Sequence, residues 1–285
     1  MDPTDDLSEH PPLAYANPLF LNSPDARPLR VLAEYLEPLH RLRRENIHDT
    51  IVFFGSARVQ ARAAAQAALA ACTDAAGSPA RRARERAVEL SRYYEEAREL
   101  ARLLTRWADG LPSRRRRFVV TSGGGPGIME AANLGAREAG GKTIGLNISL
   151  PFEQHPNPYI TEGLAFEFHY FFMRKFWFAY PAKALVVFPG GFGTLDELME
   201  ILTLAQTQKL AKKITVLLYS EAYWRQVLNF DALVDWGTIS AEDLDLFRFA
   251  DTPGDALAIL KGELERLYLY PVPEEDVAPA IARTR

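Results

Sequence analysis

A chain of 285 residues, 48% of them hydrophobic, can bury one sizeable core and carry an appended helical piece. Its net charge of −4 gives no global attraction to nucleic acid, and its single cysteine, Cys72, excludes an internal disulfide framework. No apolar run approaches the ~20 residues of a membrane-spanning helix, and the start Met1-Asp2-Pro3-Thr4-Asp5-Asp6 is too acidic for a secretory signal, so the expectation is a soluble, cytoplasmic protein.

Six prolines within residues 1–28 predict an irregular tail. Leu32, Leu36, Leu39 and Leu42 then repeat at three- and four-residue spacing, which predicts an amphipathic helix over 29–47. Residues 1–49 therefore form an N-terminal extension. The main domain begins at Thr50-Ile51-Val52-Phe53-Phe54-Gly55, a buried strand running into a tight turn. Residues 57–84 are rich in Ala and Arg, broken at Gly77-Ser78-Pro79, and read as a partly helical, exposed insertion. Leu90, Tyr94, Ala97, Leu100, Ala101 and Leu104 place a helix over 85–109. Beyond it, strands at 118–121, 143–148, 167–171, 183–188 and 214–219 alternate with helices at 126–139, 172–180, 194–209, 220–234 and 253–268. That alternation predicts an α/β fold over 50–270, a parallel sheet covered on both faces, followed by a C-terminal tail at 271–285.

Two glycine-rich turns each follow an apolar strand and open a helix. They are Ser122-Gly123-Gly124-Gly125-Pro126-Gly127-Ile128-Met129-Glu130 and Pro189-Gly190-Gly191-Phe192-Gly193-Thr194. Ligands of a parallel sheet bind beyond the carboxyl ends of its strands, glycine admits a ligand close to the backbone, and a helix N-terminus suits a phosphate. Either turn alone is equally a tight strand-to-helix connection; two in one chain favour a phosphate site. No Gly-x-Gly-x-x-Gly fingerprint, no acidic residue after 143–148 for a ribose hydroxyl and no Walker lysine are present, so a monophosphate is favoured over a dinucleotide or triphosphate.

Arg174 and Lys175 stand in the apolar run 171–178, where a charge is either used on a ligand or snorkels to the surface. Thr194-Leu195-Asp196-Glu197 matches a capping box, with Thr194 as N-cap and Glu197 reaching back to it; on spacing alone the cap is the simpler reading. The run Arg114–Arg117 reads as a solvated loop. His10, His40, His48, His155 and His169 show no metal-ligand spacing, and no Gly-x-Ser-x-Gly elbow exists.

Taken together, Pro189-Gly190-Gly191-Phe192-Gly193-Thr194-Leu195-Asp196-Glu197 resembles the Pro-Gly-Gly-x-Gly-Thr-x-x-Glu signature of the Lonely Guy (LOG) proteins. These are phosphoribohydrolases that release cytokinin bases from riboside 5′-monophosphates, and some carry the older label lysine decarboxylase. Met173-Arg174-Lys175, the turn Ser122–Asn133, Leu150-Pro151-Phe152-Glu153-Gln154 and Thr203-Leu204-Ala205-Gln206 resemble further family segments, over residues 50–235 in all. The resemblance implies a Rossmann-like doubly wound sheet, a homodimer and a catalytic pair, Arg174 and Glu197. It implies substrate contacts by Gly124, Gly125, Gly127, Met129, Glu153, Lys175, Gly190, Gly191, Phe192, Gly193, Thr194 and Thr203, with no cofactor, nucleic acid or membrane partner. The expected reaction is hydrolysis of the N-glycosidic bond of a nucleoside 5′-monophosphate: a cytokinin riboside monophosphate or a purine or pyrimidine monophosphate. The alternative is a non-catalytic binding protein or carrier for a phosphorylated nucleotide-like or pterin cofactor. The extension, the insertion and the bulky Phe171, Phe172, Trp177 and Phe178 depart from short plant-type members, so no particular base is implied.

Overall fold

The computed structural model describes residues 11–149, 155–210 and 212–270. Glu153 of the expected site, its flanking segment 150–154 and the expected tail 271–285 lie outside them.

From residue 11 onward the proline-rich start holds short helices that its composition does not predict. Asn17 accepts hydrogen bonds from the N–H groups of Leu19 and Phe20 and so caps a one-turn helix α1, Pro18–Leu21. Pro28 falls in the first turn of α2, Arg27–Arg44, where a missing N–H costs nothing. This helix ends three residues earlier than expected. Its inward face is also rotated: Val31, Tyr35, Leu39 and Leu42 pack on the body of the protein, while Leu32 and Leu36 remain half exposed.

Strand β1 is Thr50–Phe54, buried throughout. The insertion holds α3, Arg62–Ala70, and the start of α4, Pro79–Asp109, a 31-residue helix. The Gly77-Ser78-Pro79 break is thus the start of the helix expected over 85–109, with the Ser78 hydroxyl accepting from Arg81 N–H at 3.1 Å. The chain continues through β2 (Val119–Ser122), α5 (Ile128–Glu138), β3 (Thr143–Ile148) and β4 (Ala165–Phe168). It then forms α6 (Phe171–Ala179), β5 (Ala182–Val187), α7 (Phe192–Gln206) and β6 (Thr215–Tyr219). The helix expected over 220–234 is two, α8 (Glu221–Val227) and α9 (Phe230–Asp235), because Asn229 leaves the helical region and caps the second. Strand β7, Phe247–Ala250, was not expected; α10 is Pro253–Leu264.

All seven strands pair in parallel, in the order β4-β3-β2-β1-β5-β6-β7. Alternate residues face opposite layers. Val52, Phe54, Leu185 and Val187 pack with α2, α6 and α7, whereas Ile51, Phe53, Ala184 and Val186 pack with α4, α5 and α10. This is the doubly wound Rossmann-like architecture. From β1 the chain first builds outward through β2, β3 and β4, then returns to add β5, β6 and β7 on the other side. The order reverses between β1 and β5, where a doubly wound sheet opens a crevice at its carboxyl edge.

The arginine run is only partly a solvated loop. Asp49, fully buried just before β1, accepts from Phe118 N–H at 2.6 Å and from Arg117 Nε at 2.7 Å. Arg117 is therefore drawn inward to a buried carboxylate, which His48 Nδ1 also meets at 3.0 Å, while Arg114, Arg115 and Arg116 are exposed. No described helix is long and apolar enough to cross a membrane.

Candidate active site

A cleft of about 850 Å³ opens at the β1/β5 crevice. The loop after β1, the two glycine turns, the end of β3 and helix α6 all contribute to its walls. Among the described residues, three with charged side chains line it: Arg58, Arg174 and Glu197.

A buried polar network sets the first turn. The Ser122 hydroxyl donates to Asn133 Oδ1 at 2.7 Å and accepts from Gly124 N–H at 3.0 Å. The Asn157 amide donates to the carbonyls of Gly124 and Gly125 and to Asn133 Oδ1 at 2.9–3.1 Å. Gly127 caps α5 with φ +73°, and a Cβ there would run into the backbone of Ser56 and Ala57. Ile128 N–H donates to Ser56 O at 3.2 Å, which ties this turn to the β1 loop. Gly124, Gly125 and Gly127 thus stand behind the cleft as its frame, while Met129 lines it. Gly123 takes the lining position instead; a Cβ there would come within 2.6 Å of Arg174 Nη2 and 2.7 Å of Met129 Sδ.

The second turn overturns the capping-box reading. Helix α7 begins at Phe192 with Gly191 as its N-cap, and no side chain caps it. The glycines complete the turn two residues early, so Thr194 is already inside the helix and Glu197 has no N-cap to reach. Gly190, Gly191, Phe192, Gly193, Thr194 and Glu197 all line the cleft. Tyr223 of α8 fixes the turn, its hydroxyl donating to Gly190 O at 2.8 Å, and Ser56 N–H donates to Pro189 O at 3.0 Å.

Arg174 does not snorkel. Its Nε donates to Leu146 O at 2.7 Å and its Nη2 lies 3.4 Å from Gly123 O, so the ends of β2 and β3 hold the guanidinium in the cleft. Burial lowers its pKa from the ordinary value; Glu197 and then Glu167 oppose the shift. Lys175, the next residue, serves a different space. Its Nζ lies 2.8 Å from Asp196, 2.5 Å from Glu200 and 4.0 Å from Glu197. Burial disfavours its charge, but the hydrogen bonds to Asp196 and Glu200 outweigh that and raise its pKa. With Thr203 it lines a neighbouring groove of about 480 Å³, where the Thr203 hydroxyl donates to Met199 O at 2.7 Å.

Glu197 is the electrostatic centre. Its side chain is 7% exposed, and burial pushes its pKa up to about 7; Lys175 and Arg174 pull it down, while Glu200 and Asp196 push it further up. A carboxyl poised near neutral pH and a part-buried guanidinium, in one cleft with a helix N-terminus that no side chain caps, are equipped for acid–base or charge-stabilising work.

The family described as "Possible lysine decarboxylase" matches residues 129–260. Curated LOG proteins match as well. One is the "Probable cytokinin riboside 5′-monophosphate phosphoribohydrolase LOG4" of Oryza sativa subsp. japonica, 32% identical over 145 residues that cover 50% of this chain and 61% of that protein. Another is the cytokinin riboside 5′-monophosphate phosphoribohydrolase LOG7 of Arabidopsis thaliana, 33% identical over 132 residues that cover 44% of this chain and 58% of that protein. The chain is thus similar to LOG proteins over about half of its length. It spans about three-fifths of the length of these LOG relatives. Among solved structures, the molybdenum cofactor binding protein of Rippkaea orientalis aligns with a TM-score of 0.46 at 18% identity, covering 75% of this chain and 96% of that one.

The LOG signature accounts for Glu197, Arg174 and the second turn. It does not account for Arg58, Asn147 and Tyr223, which also line the cleft, or for Asn157, which pins its frame. Arg58 and Tyr223 lie in segments with no motif of their own. The only local hint was Gly55-Ser56 at the end of β1, legible as a turn but not as a wall of the site.

Proposed function

We propose that the cleft hydrolyses the N-glycosidic bond of a nucleoside 5′-monophosphate, releasing the base and ribose 5-phosphate. The observation that carries this is the meeting of Arg174 and the raised carboxyl of Glu197 in one cleft with the uncapped N-terminus of α7. The match to the family model and the names of the LOG relatives support it.

In this reading the 5′-phosphate lies at Gly190–Thr194, where free N–H groups and the positive end of the α7 dipole meet it. The ribose is then near Glu197, one and a half turns into the same helix. Cleaving the bond builds positive charge on the ribose, and the Glu197 carboxylate stabilises it and orients the attacking water. Arg174 is tied to the ends of β2 and β3, away from β5, which favours assistance to the departing base over a grip on the phosphate. Met129 and Asn147 line that same side and would meet the base. The reading includes a homodimer, as the family resemblance implies, and a cytoplasmic location, as composition suggests; cytokinin is one candidate base among purines and pyrimidines.

A panel of nucleoside monophosphates, followed by chromatography for free base, tests the reading. Release is expected with at least one substrate, and Glu197→Ala is expected to lower it by at least about a hundredfold. A nucleotide or pterin ligand bound tightly and recovered intact, with no monophosphate cleaved, would support the carrier alternative instead.

A further inference from the structure

Of the three charged groups in the cleft, two are already engaged. Arg174 is bonded to two backbone carbonyls, and Glu197 is the carboxyl of the proposed reaction. The neighbouring cation Lys175 is held by Asp196 and Glu200 and lines the other groove. Arg58 differs from both. Its side chain lines the cleft, is exposed, and makes no hydrogen bond or ion pair among the described residues.

Its backbone, by contrast, is fixed. Arg58 N–H donates to the Ser56 hydroxyl at 3.1 Å, Ser56 N–H donates to Pro189 O at 3.0 Å, and Val59 beside it is buried in the core. The loop after β1 is therefore tied to the turn that opens α7. An arginine on a fixed stretch of backbone, its side chain unpaired among the described residues, thus lines the same cleft as the helix end proposed to receive a phosphate. A phosphomonoester carries about −1.5 to −2 charges at pH 7, more than the partial charge of one helix end offsets. Glu197, ionised for the reaction, adds a negative charge to the same cleft.

We propose that Arg58 is the phosphate-recognising side chain of this cleft. Its guanidinium pairs with a terminal phosphomonoester and selects nucleoside monophosphates over nucleosides. Arginine suits the task because its planar fork can meet two phosphate oxygens at once. The assignment rests on the monophosphate reading of the cleft, but it can fail separately from hydrolysis.

Calorimetric titration with ribose 5-phosphate, the phosphate-bearing product, separates the two. The wild-type chain is expected to bind it. R58Q is expected to bind it about ten- to hundredfold more weakly, with an unchanged melting temperature because the side chain has no protein partner to lose. R58K, which keeps the charge but not the fork, is expected to fall between them. Equal affinity in R58Q and wild type would overturn the role of Arg58 and leave the hydrolase reading intact. Weakened binding in R58Q, in a wild-type chain that cleaves no nucleotide, would uphold Arg58 and remove the hydrolase reading. No binding of ribose 5-phosphate by the wild type would overturn both.

Discussion

A carboxyl with its pKa near 7 changes charge around neutral pH, and Glu197 is such a group. In the proposed reaction its ionised form is the active one. The rate should therefore be flat at alkaline pH and fall about tenfold per unit as pH drops below about 7. A pH–rate profile of kcat/KM checks this; a limb near the ordinary carboxylate value of 4.5 would show that Glu197 is not the group. Linkage gives the same residue a stability signature. The folded chain holds the proton more tightly than the unfolded one, so stability is lost as pH rises from 4.5 towards 7. Glu197→Gln removes that cost. It should stabilise the fold by up to about 3 kcal/mol at pH 8 and leave it nearly unchanged at pH 4, while abolishing cleavage. Thermal melts of both proteins at the two pH values measure this directly. At this scale the sequence singled out Arg174 and Glu197, which the structure brings to one cleft, but not the surroundings of either. Glu197 read as a cap because Thr194-x-x-Glu197 has the cap's spacing; the helix starts at Phe192, which only the glycine geometry decides. Arg174 and Lys175 look equivalent in sequence, yet one faces backbone carbonyls in the cleft and the other a carboxylate cluster outside it.

Between elements, the N-terminal extension does more than cover the core. Glu34 of α2 accepts from the N–H groups of His169 and Tyr170 at 2.8 and 3.2 Å, just where α6 begins, and Trp177 of α6 donates back to Glu34 O at 2.8 Å. Arg41 of α2 also donates to the carbonyls of Gly163 and Ala165 at the edge strand β4. The carboxylate thus caps, from another helix, the element that carries Arg174. Glu34→Ala should destabilise the chain by about 1–3 kcal/mol in urea denaturation and lower kcat, because α6 is then free to shift Arg174. An unchanged unfolding midpoint would show that the cap carries nothing. Helix α2 was foreseeable from its leucines, but its buried face was not. The leucine stripe and the Val31–Tyr35–Leu39–Leu42 stripe are adjacent on the helix, and only the position of α6 and β4 chooses between them. Strand β7 escaped notice for a related reason: Phe-Arg-Phe-Ala is four residues long and gains its pairing only from β6.

For the whole molecule, the order β4-β3-β2-β1-β5-β6-β7 places the cleft. The alternation of strands and helices made a covered parallel sheet legible from sequence. The reversal between β1 and β5 was not, since strand order depends on which long-range pairings close. That reversal brings the loop at Ser56–Arg58 beside the turn at Pro189–Thr194, more than 130 residues away in sequence. The site is therefore shared by segments of which only some carry motifs. The central claim is that this shared cleft breaks an N-glycosidic bond with water, and product analysis in heavy-oxygen water tests it most directly. The predicted result is one labelled oxygen in ribose 5-phosphate, an equal amount of free base, and neither product from Glu197→Ala. Label in inorganic phosphate, or nucleotide recovered intact, would contradict it.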